Sequence, residues 1–140
     1  MVTLKDVLRY VPLARGEILR KERHEERQRR YREKRNEVSS KANRVRNKVL
    51  TISPEQFASM QGRKIDDYEP VGVQTTSPET NDPEYSRDYA LVNLSEVMDK
   101  GGIEYVVSVN FETTTSGMGT IINPNGYRTS VYGTGMRLRR

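Results

Sequence analysis

Apolar residues in the first fifty positions recur at helical rather than strand spacing. Leu4, Val7, Leu8 and Val11 step by three and four, just after Thr3-Leu4-Lys5-Asp6. That tetrad resembles a helix N-cap, with Asp6 where a strict capping box carries Glu or Gln. Pro12 and Gly16 punctuate the pattern. The reading is a short amphipathic helix, a bend, and one long helix from about Glu17 to about Leu50. Within it Tyr31, Val38, Ala42, Val45, Val49 and Ile52 step by 7, 4, 3, 4 and 3, which holds them in one stripe and marks them as a candidate partner interface.

Ser53-Pro54-Glu55-Gln56 is a second helix start, with Ser as N-cap, Pro at N1 and Gln in the capping-box position. Phe57 and Met60 can point inward, and Gly62 suits a C′ stop. Residues 63–88 carry Pro70, Pro78 and Pro83 among polar and acidic side chains, and read as a long loop. From Tyr89 the pattern changes. Tyr89 to Leu94 reads as a strand, Asp99-Lys100-Gly101-Gly102 as a turn and Ile103 to Thr114 as a β-rich run. Thr120 to Ile122, Asn123-Pro124-Asn125-Gly126 and Tyr127 to Tyr132 then make a hairpin.

The predicted fold class is α+β. It comprises a basic helical arm (1–52), a short helix with an extended acidic loop (53–88), a small antiparallel β module (89–136) and a basic tip (137–140). Three or four strands in about 45 residues lie near the lower limit of independent stability. The module therefore calls for a covering helix, a second chain or a host assembly.

Charge sharpens this division. The 140 residues hold 24 Lys/Arg and 19 Asp/Glu, a formal +5, but residues 1–50 carry +9, residues 51–136 carry −7, and Arg137-Leu138-Arg139-Arg140 adds +3. Such asymmetry points to a polyanionic partner or to assembly between arm and body. Arg20, Arg23, Arg27, Arg30, Lys34, Lys41, Arg44 and Lys48 form a basic stripe on the long helix, roughly 42 Å long at 1.5 Å per residue. Its centre lies about 65° from the apolar stripe at about 100° per residue. Lys21, Arg32, Arg35 and Arg46 fall on the other flank.

Three readings compete for this helix. It is a solvated helix held by pairs such as Glu25–Arg29 and Glu26–Arg30, a few tenths of a kcal/mol each. Or it buries its valine seam on another subunit, with Arg and Lys snorkelling around it. Or it lays Arg20 to Arg35, nine basic and four acidic residues in sixteen, against phosphates and releases counterions. The last two are compatible, because the apolar steps lie mainly C-terminal to the densest Arg cluster. A membrane-surface helix needs Leu, Phe or Trp where this one offers valine and alanine. A basic zipper needs more than barely three heptads, and leucines at the expected positions.

Candidate chemistry is sparse. Without Cys, no thiolate nucleophile, disulfide or thiolate zinc site is possible, and His24 is the only imidazole. His24 lacks the second histidine of a HExxH helix. Asp66, Asp67 and Glu69, and likewise Asp82, Glu84 and Asp88, match no EF-hand loop. Gly117-Met118-Gly119 and Gly133-Thr134-Gly135 lack the lysine of a P-loop and a full GxGxxG, and read as flexible turns and strand ends. Asn93-Leu94-Ser95 fits a glycosylation sequon, which has meaning only on a secretory route. No apolar run approaches the roughly 20 residues needed to cross a bilayer. The N-terminus lacks a secretory core, so an intracellular, virion or ribonucleoprotein location is expected, with no membrane partner.

The expectation is a non-enzymatic structural component of a large assembly, a virion interior or connector protein or a ribonucleoprotein subunit, without cofactor or metal. Protein subunits, including copies of itself, and nucleic acid are its expected partners. The nucleic-acid contacts fall to the basic stripe and to Arg137, Arg139 and Arg140, since a basic tip after glycine can enter a groove. Alternatives are a small DNA-binding regulator dimerising through Val38, Val45 and Val49, and a protein-only adaptor whose basic arm engages acidic loops of its own copies.

Overall fold

A helix opens where side chain and backbone can satisfy the first free N–H groups. At Ser53 they do: its hydroxyl accepts from the Gln56 amide at 3.2 Å and the Gln56 side chain accepts from the Ser53 amide at 3.2 Å. The computed structural model describes the backbone of residues 12–116 and 126–140, and the side chains of residues 15–115 and 126–140. The expected helix around Leu4 to Val11, and the hairpin residues Thr120 to Asn125, lie outside these.

In chain order the elements are α1 (Pro12–Val45), followed by a 3-10 turn (Arg46–Lys48), then α2 (Pro54–Met60), a second 3-10 turn (Ile65–Asp67) and β1 (Tyr68–Thr76). They continue with α3 (Pro83–Gly101), β2 (Tyr105–Ser116) and β3 (Gly126–Leu138). This is the α+β class. The described chain falls into two units, one ending at Glu37 and one running from Val38 to Arg140, so α1 contributes to both.

The second unit is built on a three-stranded sheet in the order β1-β3-β2, each neighbour pair antiparallel. Two expectations need correction. The stretch 63–88 is not one long loop, because Tyr68–Thr76 forms an edge strand in which Val71, Val73 and Thr75 alternate toward the core. An edge position tolerates Pro70, which has no ladder N–H to give. Nor is Tyr89 to Leu94 a strand; it lies inside α3, a 19-residue helix. Asp82 caps it, accepting from the Glu84 amide at 2.9 Å, Pro83 sits in the first turn, and Gly102 ends it at φ +63°. The expected turn at 99–102 is this helix terminus.

Helix α3 lays Ala90, Leu91, Leu94 and Met98 on one sheet face, against Val73, Val106, Val109 and Val131. Ala42 and Val45 from the end of α1 join the same cluster. On the opposite face, Phe57 and Ala58 of α2 pack with Tyr68, Val107 and Met136. The cover that the small sheet requires thus comes from its own chain. Buried polar groups on the α3 side are partnered. Ser86 and Thr129 are both fully buried, and their hydroxyls lie 2.6 Å apart. Ser86 donates to the Pro83 carbonyl at 2.8 Å, so it accepts from Thr129, which in turn accepts from Thr113 at 2.9 Å.

The outer edge of β2 is paired as well. Leu50 donates to Val106 O at 2.8 Å, and Val109 and Ser108 donate to Leu50 O and Ile52 O at 3.1 and 2.9 Å. Between Val107 and Asn110 the register with β3 shifts, and Ser108 sits at φ +53°.

Gly133-Thr134-Gly135 is neither a flexible turn nor a strand end, and here the sequence expectation is corrected. It lies within the central strand, where a missing Cβ makes room. A Cβ on Gly133 would stand 2.6 Å from Val106 Cγ1 and 3.1 Å from Val107 O; one on Gly135 would stand 2.8 Å from Ile103 Cδ1. Gly133→Ala should therefore destabilise by about 1–3 kcal/mol through overpacking, read as a lower urea midpoint; an unchanged midpoint would contradict this packing.

Candidate nucleic-acid interface

Residues 15–37 of α1 contain only three apolar side chains, Ile18, Leu19 and Tyr31, and none of the stretch is buried. Such a helix has no core to dock on and is held by its own side-chain pairs. Arg29 Nη2 donates to both oxygens of Glu26 at 2.7 Å, Arg30 Nε donates to Glu26 Oε1 at 3.1 Å, and Arg29 Nε lies 4.0 Å from Glu33. The hydrogen bond from Arg29, with the charges of Arg29 and Arg30 behind it, holds the Glu26 carboxyl below the ordinary glutamate value. Glu26 in return raises the guanidinium of Arg29.

A carboxylate whose value is lower in the helix than in the unfolded chain stabilises the helix above its unfolded value. It loses that contribution as pH falls through the folded one. Far-UV circular dichroism should show helicity falling on acidification, and Glu26→Gln should lower neutral-pH helicity while shrinking the acid-dependent loss. Superimposable acid profiles for the two proteins would contradict the pairing.

The eight predicted stripe residues are all exposed: Arg20, Arg23, Arg27, Arg30 and Lys34 in the first unit, and Lys41, Arg44 and Lys48 in the second. Among the described residues, Arg20, Arg23, Arg27 and Lys34 have no carboxylate partner. Arg20 and Arg27 only graze the carbonyls of Gly16 and Arg23, both at 3.4 Å. Across residues 12–37 there are ten Lys/Arg and six Glu, and residues 38–140 hold twelve of each sign. The chain's net charge therefore resides in its first 37 residues.

The apolar seam has a different fate from the one expected. Val38, Ala42 and Val45 are 2%, 0% and 7% exposed, covered within this chain, and Val49 and Ile52 pack on its two core clusters. No second subunit is required to cover them; only Tyr31, at 37%, remains open. Of the C-terminal arginines, Arg137 and Arg139 are tied to the sheet, and Arg140 is exposed. Arg137 lies in β3, its guanidinium bonded to Glu69 Oε2 and Gly101 O, each at 3.0 Å. Arg139 lies just past the strand, its amide donating to Asp67 O at 2.9 Å and its Nε to Tyr68 O at 3.2 Å.

Two arrangements have no counterpart in the sequence reading. Arg46 pairs with the nearly buried Asp88, linking the turn after α1 to α3. Beside it a cleft of about 600 Å³ is lined by Val49, Leu91 and Phe111, with Arg87 4.9 Å over the Phe111 ring. The partners are 42 residues apart in the chain, so no local spacing could have announced the pair. Among the described residues no three His, Asp or Glu gather as a metal-binding group, and no helix is long and apolar enough to cross a membrane. Compared with known proteins, the chain matches no protein-family model, no curated protein and no solved structure.

Proposed function

We propose that the chain is a non-enzymatic structural component of a nucleic-acid-containing assembly, touching phosphates through the Arg-rich part of α1. One observation carries this reading: a helix with no buried residue over 15–37, ten cations between residues 12 and 37, and Arg20, Arg23 and Arg27 without a carboxylate partner among the described residues. A polar helix of this length is only marginally stable in water. A polyanion along it would relieve its like-charge repulsion and gain counterion release. The regulator alternative loses support, since Val38 and Val45, two of its three dimer residues, are buried in their own chain. A virion or ribonucleoprotein particle remains the setting that suits a sequence-indifferent, phosphate-directed helix.

Fluorescence anisotropy with labelled DNA and RNA across a salt series tests it. Log affinity should fall steeply with log salt, equally for unrelated sequences. Changing Arg20, Arg23, Arg27 and Arg30 together to Gln should reduce the magnitude of that slope by up to about 3 to 4, at roughly 0.9 per lost phosphate contact on duplex DNA. An unmoved slope would sink the contact; a strong preference for one sequence would restore the regulator.

A further inference from the structure

Although the second unit is neutral as a whole, its charge is not spread evenly. A cleft of about 960 Å³ opens where α2, the end of α3 and the ends of β1 and β3 meet. Its floor is aromatic and apolar: Phe57, Tyr68 and Met136 are 2%, 6% and 2% exposed. Its walls bring together Arg63, Lys100, Arg137, Arg139 and Arg140, opposed among the described residues by two side-chain carboxylates, Glu69 and Glu104.

Most of these cations are not neutralised. Among the described residues, Arg137 alone of the five pairs with a carboxylate, Glu69. The Nε of Arg139 is fixed on the Tyr68 carbonyl, which orients the guanidinium and leaves its two terminal nitrogens without a partner among the described residues. Arg63, Lys100 and Arg140 are exposed and have no ion pair among the described residues. The Arg63 backbone is nonetheless held in place, its amide donating to Ala58 O at 2.9 Å. Cations converging on one concavity repel each other, and an anion in their midst removes that cost. Four of the five are arginines, whose planar forks match the oxygens of a phosphate better than an ammonium does.

We propose that this cleft is a phosphate-binding site, with Arg63, Lys100, Arg139 and Arg140 as the binding groups and Arg137 as the residue that joins β1, β3 and the end of α3 behind them. The phosphates come either from a nucleic-acid backbone or from a free polyphosphorylated molecule. The site is distinct from the α1 helix and does not depend on it.

The test is a titration of the full-length chain with inorganic tripolyphosphate, and separately with a short oligothymidine, followed by backbone amide chemical shifts. Three proteins are compared: the parent, the triple change Arg63→Gln, Lys100→Gln and Arg140→Gln, and the helix change Arg20, Arg23, Arg27 and Arg30 to Gln. The triple change removes only side chains without protein partners, so folding is retained. Expected are saturable shifts at Arg63, Lys100 to Gly102 and Arg137 to Arg140, weakened about tenfold or more by the triple change and unaffected by the helix change. Shifts with both probes identify a nucleic-acid backbone as the source; shifts with tripolyphosphate alone identify a free phosphorylated molecule. Shifts confined to α1, shifts indifferent to the triple change, or equal binding of an oligoglutamate peptide would overturn the proposal. Because the helix change is scored separately, failure of the cleft and failure of the α1 contact give different patterns.

Discussion

Phe57→Ala is expected to lower the stability of the folded body by about 3–5 kcal/mol, measured by urea denaturation. Phe57 is 2% exposed and sits at the centre of the second core cluster. Its ring meets Tyr68 edge-on at 5.5 Å and Tyr105 at 5.0 Å, contacts that add to the loss of buried area. Because α2 has only seven residues, it has no stability of its own. Truncating its main anchor should detach it from the sheet, and Arg63, tethered to Ala58, would move with it. Tripolyphosphate shifts in the cleft should then weaken while those on residues 20–35 of α1 persist. A loss under about 1 kcal/mol would mean that α2 is not held by this side chain.

Leu94→Ala is the second large effect, expected at about 2–5 kcal/mol. Leu94 is fully buried in α3, in the cluster that also holds the sheet valines and Ala42 and Val45 of α1. Alanine is the best helix former, so the substitution leaves the local preference of α3 intact or improved and isolates the packing term. The same change separates the two secondary-structure assignments for this segment. If Tyr89 to Leu94 were a strand with one solvated face, an odd–even pattern would govern the cost of alanine across 90–94. The helix predicts large losses at Leu91 and Leu94 and a small one at Val92, which is only partly buried. An alternating profile would contradict α3.

The two large effects fall on residues of unequal legibility. Phe57 follows a Ser-Pro-x-Gln start, and Gly62 takes φ +67° just past the end of α2, so that helix could be read locally. The start of α3 is written in the same grammar, as Asp82-Pro83-Glu84, and its core face as Ala90, Leu94 and Met98 at steps of four. That signal was available. It was masked by three prolines in 63–88 and by a short apolar run at Tyr89 to Leu94 that fits a strand equally well. Strand β1 was hidden in the same way: Val71, Val73 and Thr75 alternate, but Pro70 and Gly72 stand between and beside them.

The sequence by itself determined the α+β class, the long charged helix, the capped α2, most of β2, the first half of β3, and the concentration of positive charge near the N-terminus. These rest on interactions between residues a few positions apart, such as caps, side-chain periodicity and i,i+4 charge pairs, all of which are printed in local order. Only the tertiary structure decided what covers what. The stripe of Val38, Ala42 and Val45 reads identically whether a partner or its own chain buries it, because apolar burial is non-directional and carries no address. The Arg46–Asp88 pair, the glycines beneath Val106 and Ile103, and the gathering of Arg63 and Lys100 with the end of β3 join residues tens of positions apart. Their proximity exists only once α3 crosses the sheet and brings β2 and β3 alongside β1.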